Sequence, residues 1–397
     1  MRRPRLGAAR ASWRLSRARR GRRGLLHPIK RSVGSGPMRI VSIQYLRGLA
    51  VLAVLLAHSV QYPMKSPDFD WIRVGRLGVI LFFVISGFVM VFVTGSGRFD
   101  SRDFLRRRVV RIVPLYWIAT FATAALAISA PSIFKTSVFS LDHFILSLLF
   151  VPHVSPSGDT APLLKLGWTL NYEMFFYLVF AMLFFTTALR RVTAISLTFA
   201  AFVILGLLFE PRAVLLDTYS NYMLLAFCAG AWLGLLRLND VWDRMPDRAA
   251  PLLLALAVLG CLGGFLLERG TRGAELAGAS MIIGSTALVA VGLRAERRLP
   301  HWKALEGLGN ASYSIYLGHI YCIAAVNVLA KRLFTDAQPL SLLVPAGLFA
   351  GLAGGLLFFI AVEKPVLRLF GVRLARSGPA VPKAGPTVRL RGSGATG

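Results

Sequence analysis

The chain has 397 residues, 55% of them hydrophobic and 16% charged, with 46 Lys and Arg against 18 Asp and Glu for a formal charge of +28. So little polar surface excludes an ordinary soluble domain and indicates a polytopic membrane protein. The positive charge is distributed as a topology signal, which points to anionic lipid headgroups and away from a nucleic-acid partner.

Residues 1–37 hold 12 Lys or Arg, no acidic residue and no apolar run able to build a core, so they read as a basic disordered tail. They also lack the apolar stretch of about 7–15 residues that a secretory signal needs. "MRIVSIQYLRG" begins afresh at Met38, directly before the first apolar run, and marks an alternative start. A bilayer core about 30 Å thick takes roughly 20 apolar residues per helix. Ten windows meet that need: 41–61, 76–95, 112–131, 168–186, 192–209, 219–236, 249–267, 276–293, 311–330 and 340–362. The expected fold is therefore all-α, a membrane bundle of about ten transmembrane helices spanning 38–370, followed by a disordered tail over 371–397. "FILSLLFV" at 144–151 is too short to cross and is expected to pack at the interface or re-enter.

Threaded with the N-terminus inside, the ten windows leave 35 Lys and Arg on the inner side and 10 on the outer, with Arg47 inside the first window. That asymmetry places both termini in the cytoplasm. Cys228, Cys261 and Cys322 all lie within windows, which argues against a disulfide framework. No CxxC or His/Cys metal spacing appears, and neither do the Walker A, GxGxxG or GxSxG signatures.

Ionisable side chains inside spans cost about 2.5–3.5 kcal/mol each near the centre on insertion scales, so each is a candidate for function. Arg47 and His58 are eleven residues apart. At 100° per residue they share one helix face, about 16 Å apart along the axis. Singly, each also reads as a snorkelling arginine or an inert interfacial histidine. Together they mark a polar track along the first helix. Arg106, Arg107, Arg108 and Arg111 crowd the start of the third window. Guanidinium groups there suit phosphates, of a nucleotide or of lipid, and a basic stop-transfer cluster would look the same. Glu173, in "GWTLNYEMFFYL", lies inside the fourth window and needs a partner. His58 is expected at similar depth, where Glu173 would orient its imidazole or form a purely structural ion pair. In "GNASYSIYLGHI", Asn310 is expected to cap the ninth helix, with Ser312, Tyr313, Tyr316 and His319 along one face. Helix-to-helix hydrogen bonding explains such residues equally well. Pro365 in "VEKPV" reads as a helix stop, and Glu363 as a carboxylate able to pair with an inner arginine.

In order, "LRGLAVLAVLLAH", "FFVISGF", "RRRVVRIVPLYW", "WTLNYEMFFY", "SYSIYLGH" and "EKP" resemble the motifs of the acyltransferase-3 family of integral membrane acyltransferases. The opening "IQYLRGLA" looks most like its exopolysaccharide-production branch. The resemblance implies transfer of an acetyl or other acyl group from acyl-CoA, without a metal, to a hydroxyl of a surface polysaccharide or its lipid-linked precursor. Relatives also modify lipopolysaccharide O-antigens, Nod factors, periplasmic glucans and macrolides. It further implies the cytoplasmic membrane of a bacterium, a catalytic His58 with Arg47 essential beside it, and Arg108 and Arg111 facing CoA. Glu173 joins the catalytic set, and Tyr313 and His319 the donor site. A covalent acyl-histidine route stays open beside direct transfer. So do a membrane-bound lipid acyltransferase built around His319 and, in another class, a glycan or lipid transporter. The absence of an internal repeat weighs against the transporter.

Overall fold

The computed structural model describes residues 40–64, 71–131, 137–267, 273–334 and 339–371. The basic tail, the start at Met38 and all but the first residue of the C-terminal tail lie outside them. Among the described residues the chain is helical, with no strand. In order the helices are α1 (Val41–Met64), α2 (Trp71–Thr94), α3 (Ser101–Ser129), α4 (Leu141–Leu148), α5 (Trp168–Met182), α6 (Ala188–Phe209) and α7 (Val214–Tyr219). They continue with α8 (Leu224–Leu238), α9 (Val241–Arg244), α10 (Ala249–Leu266), α11 (Gly273–Ala295), α12 (Lys303–Leu333), α13 (Leu340–Phe358) and α14 (Lys364–Leu369).

Nine helical stretches among the described residues are long and apolar enough to cross a membrane. They correspond to nine of the ten expected windows. The exception is the window at 168–186, where α5 has 15 residues. At 1.5 Å per residue it covers about 22 Å, short of a bilayer core. The helix ends early because residues 183–187 are drawn into a corner. Phe99 N–H donates to the Phe184 carbonyl at 3.2 Å, and Ala188 N–H to Ser96 at 2.9 Å. Arg191 fastens this corner: wholly buried, it donates to the Gly97 and Thr186 carbonyls at 2.8 Å each and stacks on Phe99 and Phe180. The C-terminal end of α5 is thus tied to the α2–α3 corner, with its arginines. The expected short segment near 144–151 is α4, held to α3 by Trp117 donating to the Leu148 carbonyl at 3.0 Å.

Helix α1 is central, packed on α2, α11, α12 and α13. Its first N–H groups, which no intrahelical carbonyl can satisfy, are met by Glu296, which accepts from Val41 and Ser42 at 2.7 and 2.8 Å. Helices α1 and α12 run in the same direction, with Arg47 opposite Ser312 and His58 opposite His319. Their approach depends on Gly309, where a Cβ would stand 2.1 Å from the Gln44 carbonyl oxygen. Helix α13 returns antiparallel, and Gly351 seats it against Leu55 and His319. The apolar faces of α6 and α10 are largely exposed, carrying Leu205, Leu207, Leu252 and Leu259, as lipid-facing helices require.

Two expected helix ends are moved. Asn310 does not cap α12, which already starts at Lys303. The sequence between, "KALEGLG", continues the helix without a break. Pro365 does not stop the chain either, since α14 carries the proline in its first turn. A proline lacks the N–H of an α-helical rung and clashes with the carbonyl four residues back. The wider π-turn Phe359–Glu363 absorbs that misfit.

Gly309→Ala should lower the melting temperature of the detergent-solubilised protein, since overpacking a tight contact costs about 1–3 kcal/mol. Gly307→Ala, where a Cβ meets nothing within 4 Å, should leave it unchanged or raise it, because alanine favours the helix.

Candidate active site

A cavity opens among α1, α2, α3, α5 and α12. It is lined by Arg47, Arg108, Arg111, Glu173, Tyr313 and Tyr316, with apolar walls from α2 including Val79, Phe82 and Ile85. Arg47 donates to Ser312 Oγ from Nε at 3.2 Å and from Nη2 at 2.9 Å. Ser312 passes its own proton to the Gly309 carbonyl at 2.9 Å, leaving its lone pairs for the guanidinium.

The arginines on α3 divide by face. Asp100 caps the helix, accepting from the Arg102 and Asp103 N–H groups at 2.9 and 3.2 Å. From that start Arg106 and Arg107 are exposed, while Arg108 and Arg111, one turn apart, turn into the cavity. The Arg108 guanidinium lies 5.9 Å over the Phe104 ring, and its Nε is buried without a hydrogen-bond partner. The ion pairs formed among the described residues include none of Arg47, Arg108 and Arg111.

One carboxylate, Glu173, lines the cavity with these three cations, and a second, Glu363, stands near Arg111 and Arg47 outside its lining. Glu173 accepts from Tyr177 Oη, one turn along α5, and from Ser86 Oγ at 3.2 Å. Glu363, at 1% exposure, accepts from Ser314 Oγ and interacts electrostatically with Arg111 and Arg47. The π-turn ahead of Pro365 brings it inward. The balance is one positive charge in excess, in a space walled by hydrocarbon, which favours an anionic guest.

His58 and His319 do not line this cavity and lie past Tyr316. Tyr316 closes the near side: its Oη donates to the Leu166 carbonyl at 3.0 Å and meets Thr169 Oγ1 at 2.8 Å, and its ring centre is 6.3 Å from that of His319. His58 Nδ1 and His319 Nε2 are 2.9 Å apart, and His319 Nδ1 is 2.8 Å from the Ile315 carbonyl. The carbonyl can only accept, so His319 Nδ1 carries a proton, and in the neutral ring Nε2 is then an acceptor. His58 must donate from Nδ1, and its Nε2 is left with a free lone pair. His319 is enclosed, whereas His58 is partly accessible. The chain of two rings therefore fixes one tautomer of His58 and aims a base.

The expected pairing of Glu173 with His58 is not made, because His319 holds that ring. The reason is the length and anchoring of α5. Glu173 lies nine residues from Met182, the end tied to the α2–α3 corner. That is about 13 Å, which puts the carboxylate at the level of the arginines. Tyr313 lines the cavity as it donates to the Ile112 carbonyl at 2.8 Å. Arg47, Arg108, Arg111, Glu173 and Tyr313 are thus brought together, and His58 and His319 form a second cluster. Sequence reasoning passed over Ser86 and Tyr177. Ser86 was detectable as the one hydroxyl in "FFVISGF", and Tyr177 as the i+4 neighbour of Glu173.

Residues 40–360 match the family described as an acyltransferase domain. The chain is 36% identical over 319 residues to the exopolysaccharide production protein ExoZ of Rhizobium meliloti (strain 1021), covering 77% of this chain and 94% of that protein. It is 25% identical over 314 residues to YrhL of Bacillus subtilis (strain 168), a putative peptidoglycan O-acetyltransferase, covering 70% of this chain and about half of that protein. With the acyltransferase MdmB of Streptomyces mycarofaciens it shares 26% identity over 374 residues, 85% of this chain and 94% of the other. No solved structure matches.

Nitrogen-15 NMR of histidine-labelled protein should find His58 protonated on Nδ1 and bare on Nε2. His319→Ala removes the acceptor that holds this state, and the two nitrogens of His58 should then show mixed protonation.

Proposed function

Because the chain belongs to the acyltransferase-3 family of integral membrane acyltransferases, we propose that it moves an acetyl or other acyl group from acyl-CoA to a hydroxyl of a cell-surface polysaccharide or its lipid-linked precursor. The proposed setting is the bacterial cytoplasmic membrane, with the arginine-rich end inside. The observation that carries the reading is a cation-rich cavity with Tyr316 in its wall and a histidine pair past that tyrosine. Similarity to ExoZ over nearly its whole length supports a polysaccharide acceptor, and similarity to a putative peptidoglycan O-acetyltransferase supports acetyl as the group moved.

The donor fits in parts. Its phosphates need guanidinium groups, which Arg108 and Arg111 supply, the former with a buried Nε awaiting an acceptor. Its neutral pantetheine arm suits the apolar wall of α2. Arg47, held by Ser312, faces that arm or a phosphate, being about 16 Å from His58 along the helix. The thioester then lies at the Tyr316 end, and in this proposal the Tyr316 side chain turns aside to admit it to His58.

At that end His58 Nε2 takes the proton of the acceptor hydroxyl as its oxygen attacks the acyl carbon. The new C–O bond forms and the C–S bond breaks. The CoA thiolate leaves and receives the proton back from His58, giving an ester and free CoA. His319 keeps the ring in the required tautomer throughout. Glu173 sits among the arginines and acts there, by balancing charge and holding Tyr177 and Ser86.

Purified protein given acyl-CoA and acceptor should release free CoA, and His58→Ala should abolish release while folding normally. Arg108→Ala and Arg111→Ala should instead raise KM for the donor by about 10- to 100-fold, the value of one charged hydrogen bond. Undiminished acetyl content, by NMR, in the surface polysaccharide of cells expressing His58→Ala would overturn the assignment.

A further inference from the structure

A second cavity, of about 210 Å³, lies on another face of α5 from the arginine site. Its walls are Asp159, Thr160 and Ala161 from the loop before α5, Trp168, Asn171 and Tyr172 from α5, and Thr218 from α7. Neighbouring positions on the same helix, Thr169, Leu170 and Glu173, face the first cavity, so α5 is the partition between the two. These residues are at the N-terminal end of α5, opposite the end tied to the arginine-rich corner.

Asn171 is 3% exposed, yet its Oδ1 has no hydrogen-bond partner. A buried amide oxygen left bare is costly, and Asn171 is one of the residues that line this cavity. Trp168 and Tyr172 stand edge to face at 6.0 Å and both line it, so aromatic surface lies next to polar groups. Asp159 is braced from behind: its carboxylate accepts from Lys165 Nζ at 2.6 Å, Ser155 Oγ at 2.7 Å and Ala161 N–H at 3.2 Å. Burial alone would raise its pKa, but these donors hold it below the ordinary carboxylate value, so it is an anion at neutral pH.

The combination selects a ligand class. Aromatic surface takes the C–H face of a saturated ring, while an amide oxygen, a hydroxyl and a carboxylate accept or share hydroxyl protons at its rim. The Asp159–Lys165 pair is neutral as a unit, and the lining adds no cation, so nothing in the cavity calls for a phosphate or carboxylate. A nucleobase would meet the aromatic surface but offers few hydroxyls. A pyranose ring meets both conditions.

We propose that the cavity of Asp159, Trp168, Asn171, Tyr172 and Thr218 docks a neutral hexopyranose unit of the acceptor glycan, with Asn171 Oδ1 accepting one of its hydroxyl protons. The proposal rests on the transferase reading for the word acceptor, but the docking itself does not. It gives the glycan a hold separate from the donor site, so that one unit is anchored on one side of α5 while another presents its hydroxyl to the reaction.

The test uses full-length protein in detergent and oligosaccharides released by partial hydrolysis from the surface polysaccharide of cells lacking the gene. Binding is followed by calorimetry and saturation-transfer NMR. Trp168→Ala and Asn171→Ala should each weaken binding about tenfold or more, and Trp168→Phe should retain it. In transfer assays the same variants should raise KM for the oligosaccharide while kcat and the donor KM stay as in wild type. Should either variant melt early, Thr218→Val, which keeps the volume and removes the hydroxyl, reads the same cavity from α7. Oligosaccharide affinity equal to wild type in all folded variants overturns the proposal, as does no binding to the wild type. Binding that obeys these variants in a protein that never releases CoA leaves the subsite standing and removes the transferase mechanism. Transfer indifferent to them does the reverse.

Discussion

A guanidinium inside a bilayer must be hydrogen-bonded within the protein, and Arg47 meets that demand at one place, the Ser312 hydroxyl of α12. The requirement fixes how α1 and α12 pair. Ser312 is an acceptor for Arg47 because its own proton goes to Gly309, and Gly309 is also where the two backbones come closest. One residue therefore sets both the spacing and the chemistry of the contact. Seven residues further along α12 the same register delivers His319 to His58. The electrostatic end and the basic end of the site are aligned by a single helix pair, with Gly351 of α13 pressing from behind.

Much of this was legible in the sequence. Apolar length alone located the membrane helices, since hydrocarbon imposes one solution on a backbone with nowhere else to hydrogen-bond. Angular arithmetic on Arg47 and His58 correctly put them on one face, and that face meets α12. The face pattern of Ser312, Tyr313 and Tyr316 survived even though the helix begins well before Asn310. These features are periodic and local, so a linear reading captures them.

What escaped was depth. The level of Glu173 depends on α5 being short and tied at one end, which in turn depends on Arg191 reaching Gly97 across the fold. Nothing periodic in "WTLNYEMFFY" announces a contact with a residue nearly a hundred positions away. The same holds for "VEKPV", where proline was read as a stop. A π-turn, which widens the helix by one residue, lets it continue and swings Glu363 inward to Ser314. For Glu173 the anchoring changed the partner, from the expected His58 to Tyr177 and Ser86, whereas Glu363 keeps the company of Arg111 and Arg47 and adds Ser314.

The pair of imidazoles ends in a peptide carbonyl. Ile315 accepts a hydrogen bond from His319, but an amide oxygen takes up no proton in the physiological range, so any charge arriving at His58 travels one ring further at most and must come back. A catalyst working between two aqueous compartments faces a hazard that soluble enzymes escape, because a continuous wire of titratable groups would dissipate the ion gradient the cell lives on. Here the relay is blind. The pair itself offers no conduit for protons, and that insulation comes from the same carbonyl that selects the tautomer.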